Sequence, residues 1–426
     1  MSVHDLGREL YPLETRRVNP LTAIVRAAMA RPLADYYLVT AVTAALTGMG
    51  LFMVLSASSV YAMVTTGDAY SIERWQLVAA AVGVVAAFVC SRISLRGYIV
   101  IAWLAMLLAV LLLIITIIPG GPGSSVGGQQ AWLSLGPLRT VQPSEFAKAA
   151  IVVWGAAVFA QPMRADRLDE PKALLIPYLP VAGLTLGLVL LEKDLGTAVI
   201  VAAIIVMQLW LVGAPAKVMG WLITTGLLAG MGVIMFSASH RAKVLSFLAA
   251  RFPFLHLATQ ATSDQPDNAI YALATGGLFG TGPGASRQKW GGLYNGAHTD
   301  YILAVLGEEL GLLGILVVLG LLLTLVYTAV RIARRSQHLF WRVAASAFAG
   351  WIMVQALVNT LVAFGLLPVI GVPFPFLSYG GSALVSCFIG IGVLLAAARH
   401  EPEAQAELLS KSRANRVAGA VVARSA

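Results

Sequence analysis

Apolar residues fall along this chain in long blocks, separated by short polar joints or by stretches rich in glycine and proline. Blocks of roughly 20 residues, enough to cross a bilayer as a helix, begin near Tyr37, Trp75, Tyr98, Ser144, Leu174, Leu195, Lys217, Tyr301, Phe340 and Phe376. The pattern predicts an all-α polytopic membrane protein, a bundle of ten transmembrane helices. Residues 37–398 form the bundle, residues 1–36 and 399–426 flank it, and residues 239–300 make a large loop between helices seven and eight. The first apolar block is too long for the core of a signal peptide, so it reads as a retained anchor. No soluble domain and no clear internal repeat stands out.

Composition agrees. The 426 residues are 58% hydrophobic and 12% charged, too little polar surface to cover such runs in water. The net charge of +9 is no nucleic-acid signature, because the basic residues are spread over short segments between the spans. Their distribution sets orientation: Arg8, Arg16, Arg17, Arg26, Arg31, Arg92, Arg96, Arg164, Arg167, Lys172, Lys217, the group from Arg331 to Arg342 and the tail from Arg399 all fall on alternate joints. By the positive-inside rule both termini are cytoplasmic and the 239–300 loop is outside. The tail reads as charged, Ala-rich and partly disordered. Cys90 and Cys387 lie in distant apolar stretches and read as free core thiols.

With that topology the unusual polar residues gather on the outer side. Asp300 stands at the mouth of an apolar span, and Glu308 and Glu309 lie inside it; ionisable groups there are costly and mark function by default. The two glutamates read as structural hydrogen-bonding groups or as a charge partner for Lys148. His298 is a hydrogen-bonding residue or a second base. Gln142–Lys148 starts a helix at Pro143 and puts Glu145 and Lys148 on one face, as a structural ion pair or as part of a site. Glu192-Lys193-Asp194 is a tight charged turn in which Asp194 suits either an N-cap or a site. Gly276–Gly284, followed by Ser286-Arg287-Gln288-Lys289, is a flexible loop or a backbone cradle for pyrophosphate, with Arg287 and Lys289 adding charge. As a dinucleotide motif it fails for want of a βαβ context. Gly365–Ser382 carries three prolines in apolar sequence and suggests a re-entrant or kinked segment, which is tolerated at membrane depth only when buried or lining a cavity.

An outward cavity with carboxylates, cations and a Gly/Pro-rich rim suits an amphiphile with an anionic head. An enzyme acting on a lipid-linked substrate fits best. A transporter would show polar residues at the midplane and on the cytoplasmic side, and a scaffold would not need the buried charges.

Gln142–Lys148, Asp194-Leu195-Gly196-Thr197, Gly276–Gly284, Ala297–Gly311 and Pro373–Ser382 together resemble the SEDS family (shape, elongation, division and sporulation), which includes FtsW and RodA, over about residues 37–400. The resemblance implies ten transmembrane helices and a peptidoglycan glycosyltransferase that polymerises lipid II at the outer face of the bacterial cytoplasmic membrane, with Asp300 as general base. The division branch is favoured over the elongation branch, and lipid II flipping is the alternative activity. The resemblance also implies a substrate-binding set of Trp132, Glu145, Lys148, Asp194, Gln265, Ser286, Arg287, Lys289, His298 and Ser378. Lys289 and Arg287, with or without a divalent cation (Mg or Mn), would steady the leaving pyrophosphate. The implied partners are a class B penicillin-binding protein transpeptidase and other divisome membrane proteins at the septum. The chain departs from many relatives at Gln129-Gln130, where they carry a basic residue before the tryptophan, and at Lys193, where they carry proline.

Overall fold

The structure, a computed structural model, describes residues 31–118, 123–126, 129–134, 140–161, 176–252, 254, 265–293 and 296–410. Most of the N-terminal segment, Arg139, Arg164, Arg167, Lys172, Asp264 and the tail beyond residue 410 lie outside them. Among the described residues the fold is helical apart from one small sheet. Three helices open the chain, α1 (Ala34–Thr66), α2 (Ser71–Arg92) and α3 (Leu95–Ile117). An antiparallel sheet of β1 (Gly123–Val126), β2 (Gln129–Ser134) and β3 (Thr140–Val141) follows. Then come α4 (Pro143–Phe159), α5 (Tyr178–Leu191), α6 (Leu195–Leu211) and α7 (Ala216–Phe236). The segment read as one large loop contains two helices, α8 (Ala238–Arg251) and α9 (Gln265–Gly276). The chain closes with α10 (Ile302–Arg335), α11 (Leu339–Ala363) and α12 (Gly381–Arg399), and residues 402–410 are again helical.

Seven of these helices (α1, α2, α3, α7, α10, α11 and α12) are long and apolar enough to cross a membrane, and α5 and α6 are shorter apolar helices. Burial separates centre from edge. In α4 every residue except Phe146 is buried, whereas α7 buries none. The start of α4 has proline at its first turn, where no intrahelical N–H is needed. Asp194 caps α6, its carboxylate accepting from Thr197 N at 3.0 Å. Both cysteines are free.

Two irregular stretches shape the bundle. The first is a break in α10 at Gly311, whose φ of 69° and ψ of −170° suit only glycine. Peptide groups freed inside an apolar helix find no partner in lipid. Here the glycine-rich segment after α9 supplies them. Thr281 N and Gly282 N donate to the carbonyls of Glu308 and Glu309 at 2.9 and 3.0 Å. In return Leu312 N and Leu313 N donate to the carbonyls of Gly277 and Leu278 at 2.9 and 3.2 Å. Side chains at Gly276 and Gly280 would strike the backbone of Gly307 and Glu309, so this close approach requires glycine. The segment therefore acts as a backbone clasp on the break.

The second stretch is the proline-rich segment between α11 and α12. Its Phe374, Phe376 and Leu377 are buried, and the carbonyl of Phe376 lies against Gly50, midway along α1. Asn359 and Gln355 of α11 donate to the carbonyls of Val372 and Pro373 at 2.7 and 2.9 Å. Gln76 of α2 donates to Ser378 O and accepts from Gly380 N, both at 3.2 Å. Irregular backbone at this depth is thus paired to side chains of the surrounding helices, as a re-entrant segment requires.

The clasp makes Gly311→Ala destabilising: the added Cβ meets Gly280 N and Leu278 O, and the backbone strain alone is of order 1–3 kcal/mol. The thermal unfolding midpoint in detergent should fall. Gly320→Ala, where the new methyl meets open space on the same helix, should leave it unchanged or raise it slightly.

Candidate active site

Asp300 ends the turn that leads into α10, and its carbonyl accepts from Asn359 Nδ2 at 3.0 Å. That side chain also holds Val372 O, so one asparagine fixes the aspartate's backbone to the proline-rich segment. Ser378 does the same from the other side. Its hydroxyl donates to Thr299 O at 2.7 Å and accepts from Phe374 N at 2.8 Å, while Tyr379 N donates to His298 O at 2.8 Å. His298 is buried between the rings of Tyr61 and Tyr379, at centroid distances of 5.4 and 5.5 Å. Burial pulls its pKa down to about 4, so at neutral pH its ring is uncharged.

The Asp300 side chain faces a cavity of about 270 Å³ between α8, α9, the aspartate's own turn and residues 365–369. Lys243 and Arg251 of α8 and Gln265 and Asp267 of α9 share its wall. Arg251 is held in place by two N–H bonds to Gly365 O, at 3.0 and 2.6 Å. Burial raises the Asp300 pKa above the ordinary carboxylate range; Lys243 opposes the rise and Asp194 adds to it. A carboxylate of raised proton affinity beside two cations, in an open-mouthed cavity, can take a proton from a bound hydroxyl while the cations hold an anionic group.

Of the residues expected to bind substrate, Gln265 lines this cavity and the other nine lie outside its lining. Asp194 is buried, caps α6, and accepts from Gln142 Nε2 at 2.8 Å and Ser144 Oγ at 3.3 Å. The N-cap reading therefore describes its contacts, and its charge still reaches Asp300. Glu145 and Lys148 form a buried ion pair at 2.8 Å. Lys148 also donates to Gln355 Oε1 at 3.1 Å, and Gln355 carries the link to Pro373 O. Lys148 thus finds its partners in Glu145 and Gln355, and Glu309 pairs elsewhere. Glu192, in the same turn as Asp194, accepts from Thr116 Oγ1, and burial lifts its pKa to about 8.

Lys289 lies outside the Asp300 cavity. It is 3% exposed, with its ammonium 2.8 Å from Glu309 Oε1 and donating to Ser56 Oγ and Gly284 O. Ser56 completes the cluster by donating to both Glu309 oxygens, at 2.7 and 2.8 Å. Its ammonium is thus committed to Glu309, Ser56 and Gly284. Ser286 is committed as well, its hydroxyl 2.5 Å from Glu308 Oε2, and Arg287 N donates to Glu308 Oε1 at 3.0 Å. The Arg287 side chain is exposed, but outside the Asp300 cavity. Trp132 sits on β2, away from that cavity. For a divalent cation, the described residues hold no group of three or more His, Cys, Asp or Glu side chains. Sequence reasoning missed Lys243, Arg251 and Asp267, whose only signal was their place on amphipathic stretches of the outer segment.

This architecture recurs in known proteins. Residues 36–403 match the family model for cell cycle proteins of the FtsW, RodA and SpoVE type. The chain is 36% identical over 383 residues to a probable peptidoglycan glycosyltransferase FtsW of Mycobacterium tuberculosis, covering 89% of this chain and 71% of that protein. It is 31% identical to the stage V sporulation protein E of Bacillus subtilis, covering 85% and 96%. Among solved structures, a chain of a peptidoglycan synthase complex that coordinates polymerization and crosslinking matches with a TM-score of 0.64 and 26% identity, covering 88% and 99%. The rod-shape-determining protein RodA of Thermus thermophilus matches with a TM-score of 0.60 and 25% identity, covering 88% and 98%. With its buried break in α10, its proline-rich re-entrant segment and Asp300 between them, the chain belongs to the SEDS family of FtsW, RodA and SpoVE proteins, and within it is FtsW-like.

Proposed function

We propose that this protein is a peptidoglycan glycosyltransferase that polymerises lipid II at the outer face of a bacterial cytoplasmic membrane during division. The observation that carries the reading is the Asp300 carboxylate, raised in proton affinity and facing a cavity whose wall also holds Lys243 and Arg251. The chain crosses the membrane ten times with both ends inside, α4, α5 and α6 being the short central spans. Asp300 then lies at the outer surface, where a lipid-linked disaccharide presents its sugars.

In the reaction, Asp300 takes the proton of the acceptor's GlcNAc 4-hydroxyl. The oxygen attacks C1 of the donor MurNAc as the bond from C1 to the pyrophosphate oxygen breaks. Undecaprenyl pyrophosphate leaves with the electron pair and C1 inverts. Lys243 and Arg251 take the charge-stabilising role, since Lys289 is occupied by Glu309. Asn359 and Ser378 act as positioning residues through the backbone on either side of the base. The remaining named residues support the cavity from behind: Glu145 with Lys148, and Asp194 with Gln142. A class B penicillin-binding protein is the partner that crosslinks the strands, and the septum is the place of action. The structural similarity to a synthase complex supports that pairing.

Two outcomes test this. Asp300→Asn should lower lipid II polymerisation by the full-length protein with its transpeptidase on the order of 10²–10⁴-fold, without lowering the unfolding midpoint. Strands made at the normal rate by a folded variant would remove Asp300 from the chemistry. The pH profile gives the second. The base works ionised, so the acid limb of kcat/KM should lie above the ordinary carboxylate range of about 4. Asp194→Asn keeps the helix cap and removes a charge that raises Asp300, so the limb should move to lower pH. Lys243→Gln removes a charge that lowers it, so the limb should move to higher pH.

A further inference from the structure

The side of the bundle opposite Asp300 holds a second concavity. It opens between the C-terminal part of α6, the last turns of α10 and residues 342–354 of α11, and encloses about 650 Å³. Met207, Leu211, Val326, Val330, Met353 and Val354 make its walls hydrocarbon. Two cations stand at its membrane-surface end: Arg334 in the last turn of α10 and Arg342 in the first turn of α11, both exposed. Arg342 gives one N–H to Ser336 O at 3.3 Å, which leaves most of its five donors for another acceptor. Trp210, 63% exposed, lies on the rim, where an indole suits the boundary between headgroups and chains.

We propose that this groove is a binding site for an anionic phospholipid of the inner leaflet. The phosphodiester lies between Arg334 and Arg342, and one acyl chain fills the apolar groove. Guanidinium groups pair with phosphate oxygens through paired N–H bonds, and basic pockets between membrane helices on the cytoplasmic side recognise anionic headgroups. Each part of the site selects. A free phosphate would leave the hydrocarbon walls unfilled. A zwitterionic lipid would bring its own cation toward the arginines. The proposal rests on the orientation argued above but is independent of the glycosyltransferase chemistry, because its test reads lipid retention and not strand synthesis.

The full-length protein, purified in detergent, would be loaded with phosphatidylglycerol or with phosphatidylcholine of the same acyl chains, and retained lipid counted by native mass spectrometry. The wild type should retain phosphatidylglycerol with a roughly tenfold preference. The R334Q/R342Q double variant should lose the preference. Val330→Trp, at a position 39% exposed to lipid, should fill the groove and reduce retention of both lipids without altering the unfolding midpoint. Equal retention of the two lipids by the wild type would overturn the proposal, as would a preference that survives the double substitution. Phosphatidylglycerol retention unchanged in Val330→Trp would also overturn it, because the chain would then lie elsewhere. Displacement of the lipid by inorganic phosphate at equal concentration would reassign the arginines to a free anion. Loss of a co-purifying single-span protein in Val330→Trp, with lipid retention intact, would give the groove to a partner helix.

Discussion

The exchange of backbone hydrogen bonds at Gly311 is the constraint on which the outer half of the molecule depends. A helix interrupted within hydrocarbon leaves peptide groups that lipid cannot satisfy. The residues after α9 satisfy them, and in doing so they are pinned. Because those residues are pinned, Ser286 and Lys289 arrive beside Glu308 and Glu309, and both carboxylates are neutralised or hydrogen-bonded where they would otherwise be buried alone. Removing one partner of a buried pair leaves an uncompensated charge, typically worth about 3–5 kcal/mol. The break and the two ion-binding side chains therefore stabilise one another.

A second network holds the Asp300 turn from the opposite side. Lys148, Gln355 and Asn359 lie between α4, α11 and the proline-rich segment, and each ends on a backbone carbonyl or on a side chain that does. Asp300 sits where the two systems meet. Its own turn is anchored through main-chain atoms, so its carboxylate keeps its freedom to face the cavity. Fixing a carboxylate by its backbone while leaving its oxygens open is a form of preorganisation that does not consume the polar atoms facing the cavity.

Much of this was legible in the sequence. Each expected span start that falls on described residues lies within about five residues of a helix, because uninterrupted apolar length is a local property. Asp300 stood out because a charge at the edge of an apolar run is costly wherever the chain folds, and the three prolines of the re-entrant segment announced themselves in the same way. The rest depended on distant partners. Glycines at 276, 280 and 282 look flexible until Gly307 and Glu309 are brought against them. The break itself lies inside a run that shows no proline, so nothing local marks it. Lys289 looked available because its partners Ser56 and Glu309 are remote in sequence. Lys243 and Arg251 looked like ordinary surface cations because only the tertiary fold lays α8 across the aspartate.

The edge helix α7 buries none of its residues, in contrast to α4 near the centre. Its side chains are largely turned away from the bundle, so packing within this chain constrains their hydrophobicity more than their identity. In α4 each position is set by neighbours on all sides. Over evolutionary time the two helices should therefore keep different records: α7 that of the membrane in which the lineage lives, and α4 that of the machine it encloses.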